Sequence, residues 1–485
     1  MPRRVDLGEY RLEAEEFLSA LDREFYLHFS GRQSEYDIEP IYERHAALFS
    51  RAAVDSLRAG GPRSLLEFAV QGLIGRETKA EEAELARREA VLEIEVDGER
   101  LPYREAPVVQ ANEPDPERRA AIEDARNAAL TERLDPLLRE LLDRTHALTT
   151  ELGWPSAAAM CEELSDIDLR ALGAQTQAFL DATGDSYIPA VEPSLREQLG
   201  FGFERLRRSD LIAWFRGRSL DEWFPAERLV PSLSETLAGL GVDLESQPGV
   251  TLDTEQRPRK SPRAFCAPVR VPDEVYLVIA RIGGRDDFAA LFHEAGHTEH
   301  YAHIDRGLPV EARYLGDNSV TEGFAFLFDK LVADPAWLSR RLCIADPAPV
   351  VEHARAVELV YLRRYCAKIA YELELHGEGP VLDALPDVYA RRLSDAVRVD
   401  WPRATWLADV DPFFYVARYL RAWAFEAHLT RLLRERFGDT WFEHAEAGEL
   451  LRSLWARGQA TRADELLGEL TGETLDFSVM QAQPS

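Results

Sequence analysis

The stretch Ala289-Ala290-Leu291-Phe292-His293-Glu294-Ala295-Gly296-His297 carries two histidines four residues apart with a glutamate directly after the first. In a helix, positions i and i+4 are about 40° apart, so both imidazoles can converge on one ion. The glutamate at i+1 sits beside them, placed to reach water activated at the ion rather than the ion itself. With 11 histidines in the chain, chance would produce this pattern on the order of 0.03 times. The alternative is a polar helix face whose histidines pair with neighbours. The surrounding alanines, Leu291 and Phe292 weigh against it, because unpaired imidazoles are costly among apolar groups.

A catalytic zinc ion needs a third protein ligand and an open fourth position. His303 stands where a longer zinc motif places its third histidine, but that motif turns the chain at a glycine and this chain has His300 there. If the helix continues, His303 lies about 240° around from His297, out of reach of the same ion. The methionine turn of such sites is also missing, since the methionines are Met1, Met160 and Met480. Glu322 is the better candidate, 25 residues after His297 in Asn318-Ser319-Val320-Thr321-Glu322-Gly323-Phe324-Ala325-Phe326-Leu327-Phe328. It would open a second helix brought back beside the first. Ser319-x-x-Glu322 also reads as a capping box, in which the glutamate serves backbone donors. A carboxylate third ligand leaves Zn²⁺ one net positive charge, still enough to acidify water and polarise a carbonyl. Cobalt or manganese suits the same donors.

Outward from this motif the chain reads as mainly helical. Its 485 residues correspond to roughly two to four domains or one multi-lobed enzyme. Helical spacing runs from Tyr10 to about Ala59, from Pro116 to Leu152 and from Leu164 to Leu180, with Gly153, Pro155, Gly184 and Pro189 as breaks. Asp97-Gly98 between Val91–Val96 and Arg100–Tyr103 reads as a hairpin turn. A second hairpin is expected from Phe265–Val271 and Val275–Ala280, ended by Gly283-Gly284, after which Asp286 or Asp287 can cap the motif helix. Residues 1–250 read as a helical N-terminal lobe and residues 251–485 as the lobe that carries the metal. The basic stretch Arg257-Pro258-Arg259-Lys260-Ser261-Pro262-Arg263 reads as a solvated loop or a substrate-facing patch.

Charge narrows the partners. With 57 Lys and Arg against 86 Asp and Glu, a net charge of −29 repels phosphate backbones and anionic headgroups, so neither nucleic acid nor membrane is an expected partner. No apolar run approaches the roughly 20 residues that span a bilayer. Met1-Pro2-Arg3-Arg4 and the acids that follow lack a secretory apolar core, so a cytoplasmic protein is expected. Cys161, Cys266, Cys343 and Cys366 form no C-x-x-C pair and read as reduced thiols, Cys266 as either a buried thiol or one that modulates activity. The remaining histidines, from His28 to His444, are isolated.

The motif with Glu322 at this spacing resembles the thimet oligopeptidase and oligoendopeptidase F family of zinc peptidases, with Taq-type carboxypeptidases and angiotensin-converting enzyme as more distant siblings. The flanks Tyr276-Leu277-Val278-Ile279, Gly283-Gly284 and Val320-Thr321-Glu322-Gly323-Phe324-Ala325-Phe326 are similar to bacterial members. The likeness covers about residues 260–330 and, more weakly, 405–430. It implies a mainly α, two-lobed metallopeptidase with a small β-sheet beside the zinc helix and a deep substrate channel, the N-terminal lobe serving as wall or lid. It also implies one Zn²⁺ per chain on His293, His297 and Glu322, with Glu294 as general base. Val275–Arg281 would be the edge strand that pairs with substrate backbone.

Family members further use tyrosines of a C-terminal helix as oxyanion donors, usually with a nearby histidine. Here Asp411-Pro412-Phe413-Phe414-Tyr415-Val416-Ala417-Arg418-Tyr419 resembles that segment. Tyr415 and Tyr419 share a helical face and would be the donors. An aromatic helix around Phe413, Phe414, Trp423 and Phe425 is equally the mark of a core. The histidine is not evident, and Asp409 and Asp411 stand where it would be sought. The expected activity is hydrolysis of short oligopeptides. The alternatives are a metallocarboxypeptidase, needing a cation such as Arg257, Arg259, Arg263, Arg281 or Arg418, and a non-catalytic helical peptide-binding protein that retains the zinc site. No oligomeric state follows from the sequence.

Overall fold

The computed structural model describes residues 5–481. The residues read above for a secretory leader include Met1–Arg4, which lie outside that range. The protein is 68% helix and 5% strand, as the dominant three- and four-residue spacing of its apolar residues dictates. Among the described residues no helix is long and apolar enough to cross a membrane. The chain folds into two compact units, each assembled from separate stretches. The first takes the chain up to Leu73, Leu220–Val351 and the chain from Arg421 onward; the second takes Ile74–Ser219 and Glu352–Leu420. The expected boundary near residue 250 falls inside the first unit.

In the second unit the Asp97-Gly98 turn forms as read. Strand β1, Glu93–Val96, pairs antiparallel with β2, Glu99–Pro102, and both turn residues take positive φ, 53° and 82°, the geometry of a two-residue hairpin. Ile94 and Val96 point inward onto Tyr103, Ile122, Leu130 and Leu134. The long helical stretch beyond it is interrupted before Pro136. That residue has no N–H to donate, and Asp135 N–H instead reaches back to Leu130 O, producing a wider turn at Leu130–Leu134. The spacing read from Leu164 to Leu180 is two helices, because Asp166 turns left-handed (φ 58°) and Asp168 caps a new helix by accepting from Ala171 N–H at 2.8 Å. Pro189 is not a break. It sits in the first turn of Tyr187–Leu199, where a missing N–H costs nothing.

In the first unit helix α1, Leu7–Phe29, lies against a three-stranded sheet. Strand β3, Val250–Asp253, runs parallel to β5, Glu274–Val278, and β4, Phe265–Arg270, pairs antiparallel with β5 on its other side. The order β3-β5-β4 overturns the reading of residues 275–281 as an edge strand. Both sides of β5 are occupied, because the short strand β3 adds to it from a segment with no hairpin signal. The edge strands are β3 and β4, and β4 is the one whose backbone meets Glu294. Tyr26 of α1 stacks on Tyr276 with ring centroids 3.7 Å apart, and Phe25 meets Phe265 edge-on at 5.2 Å. Leu277 and Ile279 pack with Phe288, Leu291, Phe292 and Ala295 in the main core of the unit.

The basic stretch is a partly solvated loop, with Arg259 and Arg263 exposed and Lys260 tied down from within. Lys260 is buried and its ammonium donates to Asp253 Oδ1 at 3.0 Å, Asp253 O at 2.7 Å and Glu255 O at 3.0 Å. Arg257 also binds the Asp253 carboxylate, and Tyr26 Oη donates to it at 3.2 Å. Burial alone would raise the Asp253 pKa, but Arg257 and Lys260 overcome it and hold the group down from 3.8 to about 2. Removing one member of such a pair leaves a buried charge uncompensated. Asp253→Asn is therefore expected to lower stability at pH 7 by about 3–5 kcal/mol. Because the folded-state pKa is depressed, this contribution is present above about pH 4 and lost as pH falls through about 2. Urea unfolding of both proteins at pH 7 and pH 2.5 checks it: the gap between them should narrow at the lower pH.

Candidate metal centre

Helix α2, Arg285–His303, begins at Gly284. Gly283 and Gly284 have φ of 90° and 88°, and a Cβ on Gly284 would lie 2.7 Å from Asp221 Oδ1. That carboxylate accepts the Arg285 N–H at 3.1 Å, while Asp287 turns back to accept from Ile282 and Gly283 N–H, both at 2.8 Å. Neither Asp286 nor Asp287 is the cap expected from the sequence: both lie inside the helix, Asp287 bracing the two residues before Gly284, while the first helical N–H is served from another segment by Asp221.

Helix α3, Asn318–Asp329, crosses α2 at Gly296, where a Cβ would stand 2.5 Å from Phe324 O and 2.6 Å from Ala325 Cα. Only glycine permits this approach. Gly323 does the same toward Phe425, whose ring carbon is 2.5 Å from the place of its absent Cβ. The N-cap of α3 is Asp317, accepting from Ser319 N–H at 3.0 Å. Ser319 already lies inside the helix, so the capping-box alternative for Glu322 does not form. Glu322 is one turn further on and faces α2.

The result is a compact donor set. The ligand atoms of His293, His297 and Glu322 lie within 4.8 Å of one another. Glu322 Oε2 is 3.5 Å from His293 Nε2 and 3.7 Å from His297 Nε2. Donors about 2.0–2.1 Å from a tetrahedral ion stand roughly 3.4 Å apart, so these residues fit a zinc ion. The opposite ring nitrogens are held in place: His293 Nδ1 by Asp329 Oδ2 at 2.9 Å, and His297 Nδ1 by Thr321 Oγ1 at 2.9 Å. Both Nε2 atoms are thereby directed at Glu322. Burial disfavours charge on His293, but Asp329 and Glu322 outweigh it and push its pKa up to about 10; burial carries His297 the other way. Asp329 and Thr321 escaped the sequence reading. Asp329 is seven residues from Glu322, two turns along the same face of α3, a spacing that becomes informative once Glu322 is taken as a ligand.

Glu294 points at the sheet. Its Oε2 accepts the N–H of Cys266 at 2.9 Å, so the outward backbone of β4 and the glutamate meet. The Cys266 thiol is pushed well above its usual pKa by burial and the nearby acids, which disfavours a reactive thiolate. His303 stays on the continuing helix, its Nδ1–H donating to Glu299 O at 2.9 Å, with its ring against Trp455. It takes no part in the cluster. His300 is fully buried beside Phe324 and Tyr301, and burial together with His297 drives its pKa down to about 3.

Tyr415 and Tyr419 belong to the second unit and are half-buried, their ring centroids 4.9 Å apart. They lie on one face of the helix Tyr415–Phe437, and Tyr419 also meets Tyr365 edge-on. Phe413 and Phe414 just before them are both left-handed, φ 53° and 54°, a costly conformation for aromatic residues. Asp409 and Asp411, in the place of the sought histidine, are engaged in an ion network. Asp409 pairs with Arg364 and accepts from Tyr389 Oη at 2.7 Å, while Asp411 lies 2.9 Å from the buried Lys368 ammonium.

No protein-family model matches the chain, and no curated protein matches it.

Two substitutions report on this geometry. Asp329→Asn is expected to weaken zinc binding by about 10–100-fold while leaving the fold intact. Gly296→Ala is expected to part the helices, lowering stability by about 1–3 kcal/mol and zinc affinity with it. Competition with a chromophoric chelator and thermal unfolding of the same samples separate the two effects.

Proposed function

We propose that the protein is a zinc-dependent peptidase that hydrolyses short oligopeptides, as its resemblance to the thimet oligopeptidase and oligoendopeptidase F family implies. The observation that carries the reading is the meeting of His293, His297 and Glu322, each histidine oriented by its own partner, with Glu294 beside them against the edge strand β4. A bound Zn²⁺ would supply the Lewis acid that lowers the pKa of water and polarises the scissile carbonyl. Glu294 takes the proton from the attacking water and passes it to the leaving amine. Cys266 N–H keeps the Glu294 carboxylate turned toward the strand along which a peptide would lie. In this reading β4, rather than β5, pairs with substrate backbone. The resemblance further implies two lobes around a deep channel, one Zn²⁺ per chain, and Tyr415 with Tyr419 as donors to the oxyanion.

A metallocarboxypeptidase reading requires a cation for the terminal carboxylate. Arg257 is engaged by Asp253 and Glu255, and Arg418 is buried, which leaves Arg259, Arg263 and Arg281 as the exposed candidates.

The test is zinc content and digestion of mixed 5- to 15-residue peptides by the wild type beside Glu294→Gln. The expected result is about one zinc per chain in both proteins and a loss of about 10²–10⁴ in cleavage rate for the variant. Zinc without cleavage in the wild type would favour the peptide-binding alternative, and absence of metal would overturn the ligand set. Amidated peptides run in parallel distinguish the exopeptidase, which should lose most of its activity on them. Tyr415→Phe is expected to lower kcat by about 10²–10³ with zinc content unchanged.

A further inference from the structure

Of the four partly buried acids on α1, three are matched. Glu13 lies 3.5 Å from His45 Nδ1, Glu15 is paired with Arg313 at 2.6 Å, and Glu24 accepts from Gln33 at 2.5 Å and from Asp37 N–H at 3.0 Å. The fourth, Asp22, has no hydrogen bond or ion pair among the described residues. The nearby cations are already committed, Arg23 to Glu274 at 2.7 Å and Arg32 to Asp253 at 3.4 Å. Asp22 is one turn ahead of Phe25 and Tyr26, the residues that seat α1 on β4 and β5, so it lies on the face of α1 turned to the sheet.

Its surroundings tie it to the metal centre. The Cys266 thiol is within electrostatic reach of both Asp22 and Glu294, and the Tyr301 hydroxyl within reach of both Asp22 and Glu322. Tyr301 follows His297 by one turn of α2, and Cys266 is the β4 residue whose N–H meets Glu294. Asp22 is half-buried, so its carboxylate is short of solvent as well as of a partner. Burial alone has pushed the Asp22 pKa up to about 7, so the free protein holds a group that an incoming cation would both ionise and neutralise.

We propose that Asp22 is a specificity residue of this site, receiving the ammonium or guanidinium group of a peptide bound along β4. The inference rests on the peptidase reading and names its substrate class: peptides that carry a positive charge near the scissile bond. That charge has two possible sources, the free amino terminus of a short peptide or a lysine or arginine side chain. The chain's net charge of −29 favours the approach of such cationic peptides from a distance.

The test measures binding rather than turnover. Zinc-loaded Glu294→Gln protein, with and without Asp22→Asn, is titrated calorimetrically with three forms of one peptide: acetylated and free of basic residues, the same peptide with a free amino terminus, and the acetylated peptide with one lysine. At least one cationic form is expected to bind about tenfold more tightly than the neutral form when Asp22 is present, and which form does so identifies the source of the charge. Asp22→Asn should abolish that difference, and its thermal midpoint should stay level or rise, since an unpaired carboxylate has been removed. Equal affinity for all three peptides with Asp22 present, equal loss on all three in the variant, or no binding of any of them would overturn the assignment. If the wild type cleaves nothing while the binding difference remains, the peptidase reading fails and the role of Asp22 stands.

Discussion

The candidate site depends on how closely two helices can approach. The ligands come from different helices, two from α2 and one from α3, and the distance between their side chains is set where Gly296 meets the backbone at Phe324 and Ala325. A larger residue there would force the helices apart at the point where their donors meet. The second glycine contact, Gly323 against Phe425, fixes α3 from behind. Two missing side chains therefore do what a rigid hinge would do. The hydrogen bonds of the two rings with Asp329 and Thr321 then set ring rotation, which backbone spacing leaves free.

Around this crossing the polar groups divide into two kinds. Asp253, Lys260 and Arg257 satisfy one another and hold the loop between β3 and β4 to the body of the first unit. The charge network of Asp409, Asp411, Arg364 and Lys368 does the same for the segment that leads into Tyr415 in the second. Such networks are strong only when complete. Glu294 is of a different kind. It accepts a backbone N–H from β4, a contact that orients the carboxylate without neutralising it.

Local features of this fold were legible before any coordinates. The Asp97-Gly98 hairpin could be read because a two-residue turn is dictated by its own residues. The mainly helical class followed from spacing, and the separation of His293, His297 and Glu322 marked residues that the folded chain brings together. What escaped was set by partners distant in sequence. Nothing around Val250–Asp253 announces a parallel strand, and without it β5 looks like an edge. Asp221 caps α2 from another segment, and the reading of Arg257–Arg263 missed Asp253 because a buried counter-ion leaves no periodic trace. Asp329 lay in plain view as an ordinary helix-end acid, its importance visible only from the His293 side.

The way the first unit is assembled bears on how the protein matures. The helices α2 and α3 are made near the middle of the chain, yet the groups that close around them come later: Phe425 behind Gly323, Trp455 beside His303, and Gly458 whose backbone borders His300. Domains fold as units during synthesis. The donor cluster therefore has no finished walls while the ribosome is still translating the segment beyond Arg421, although both histidines have already emerged. A metal held by these residues would be acquired late in the life of the polypeptide, and an interrupted chain would carry all three donor residues without the frame that holds them.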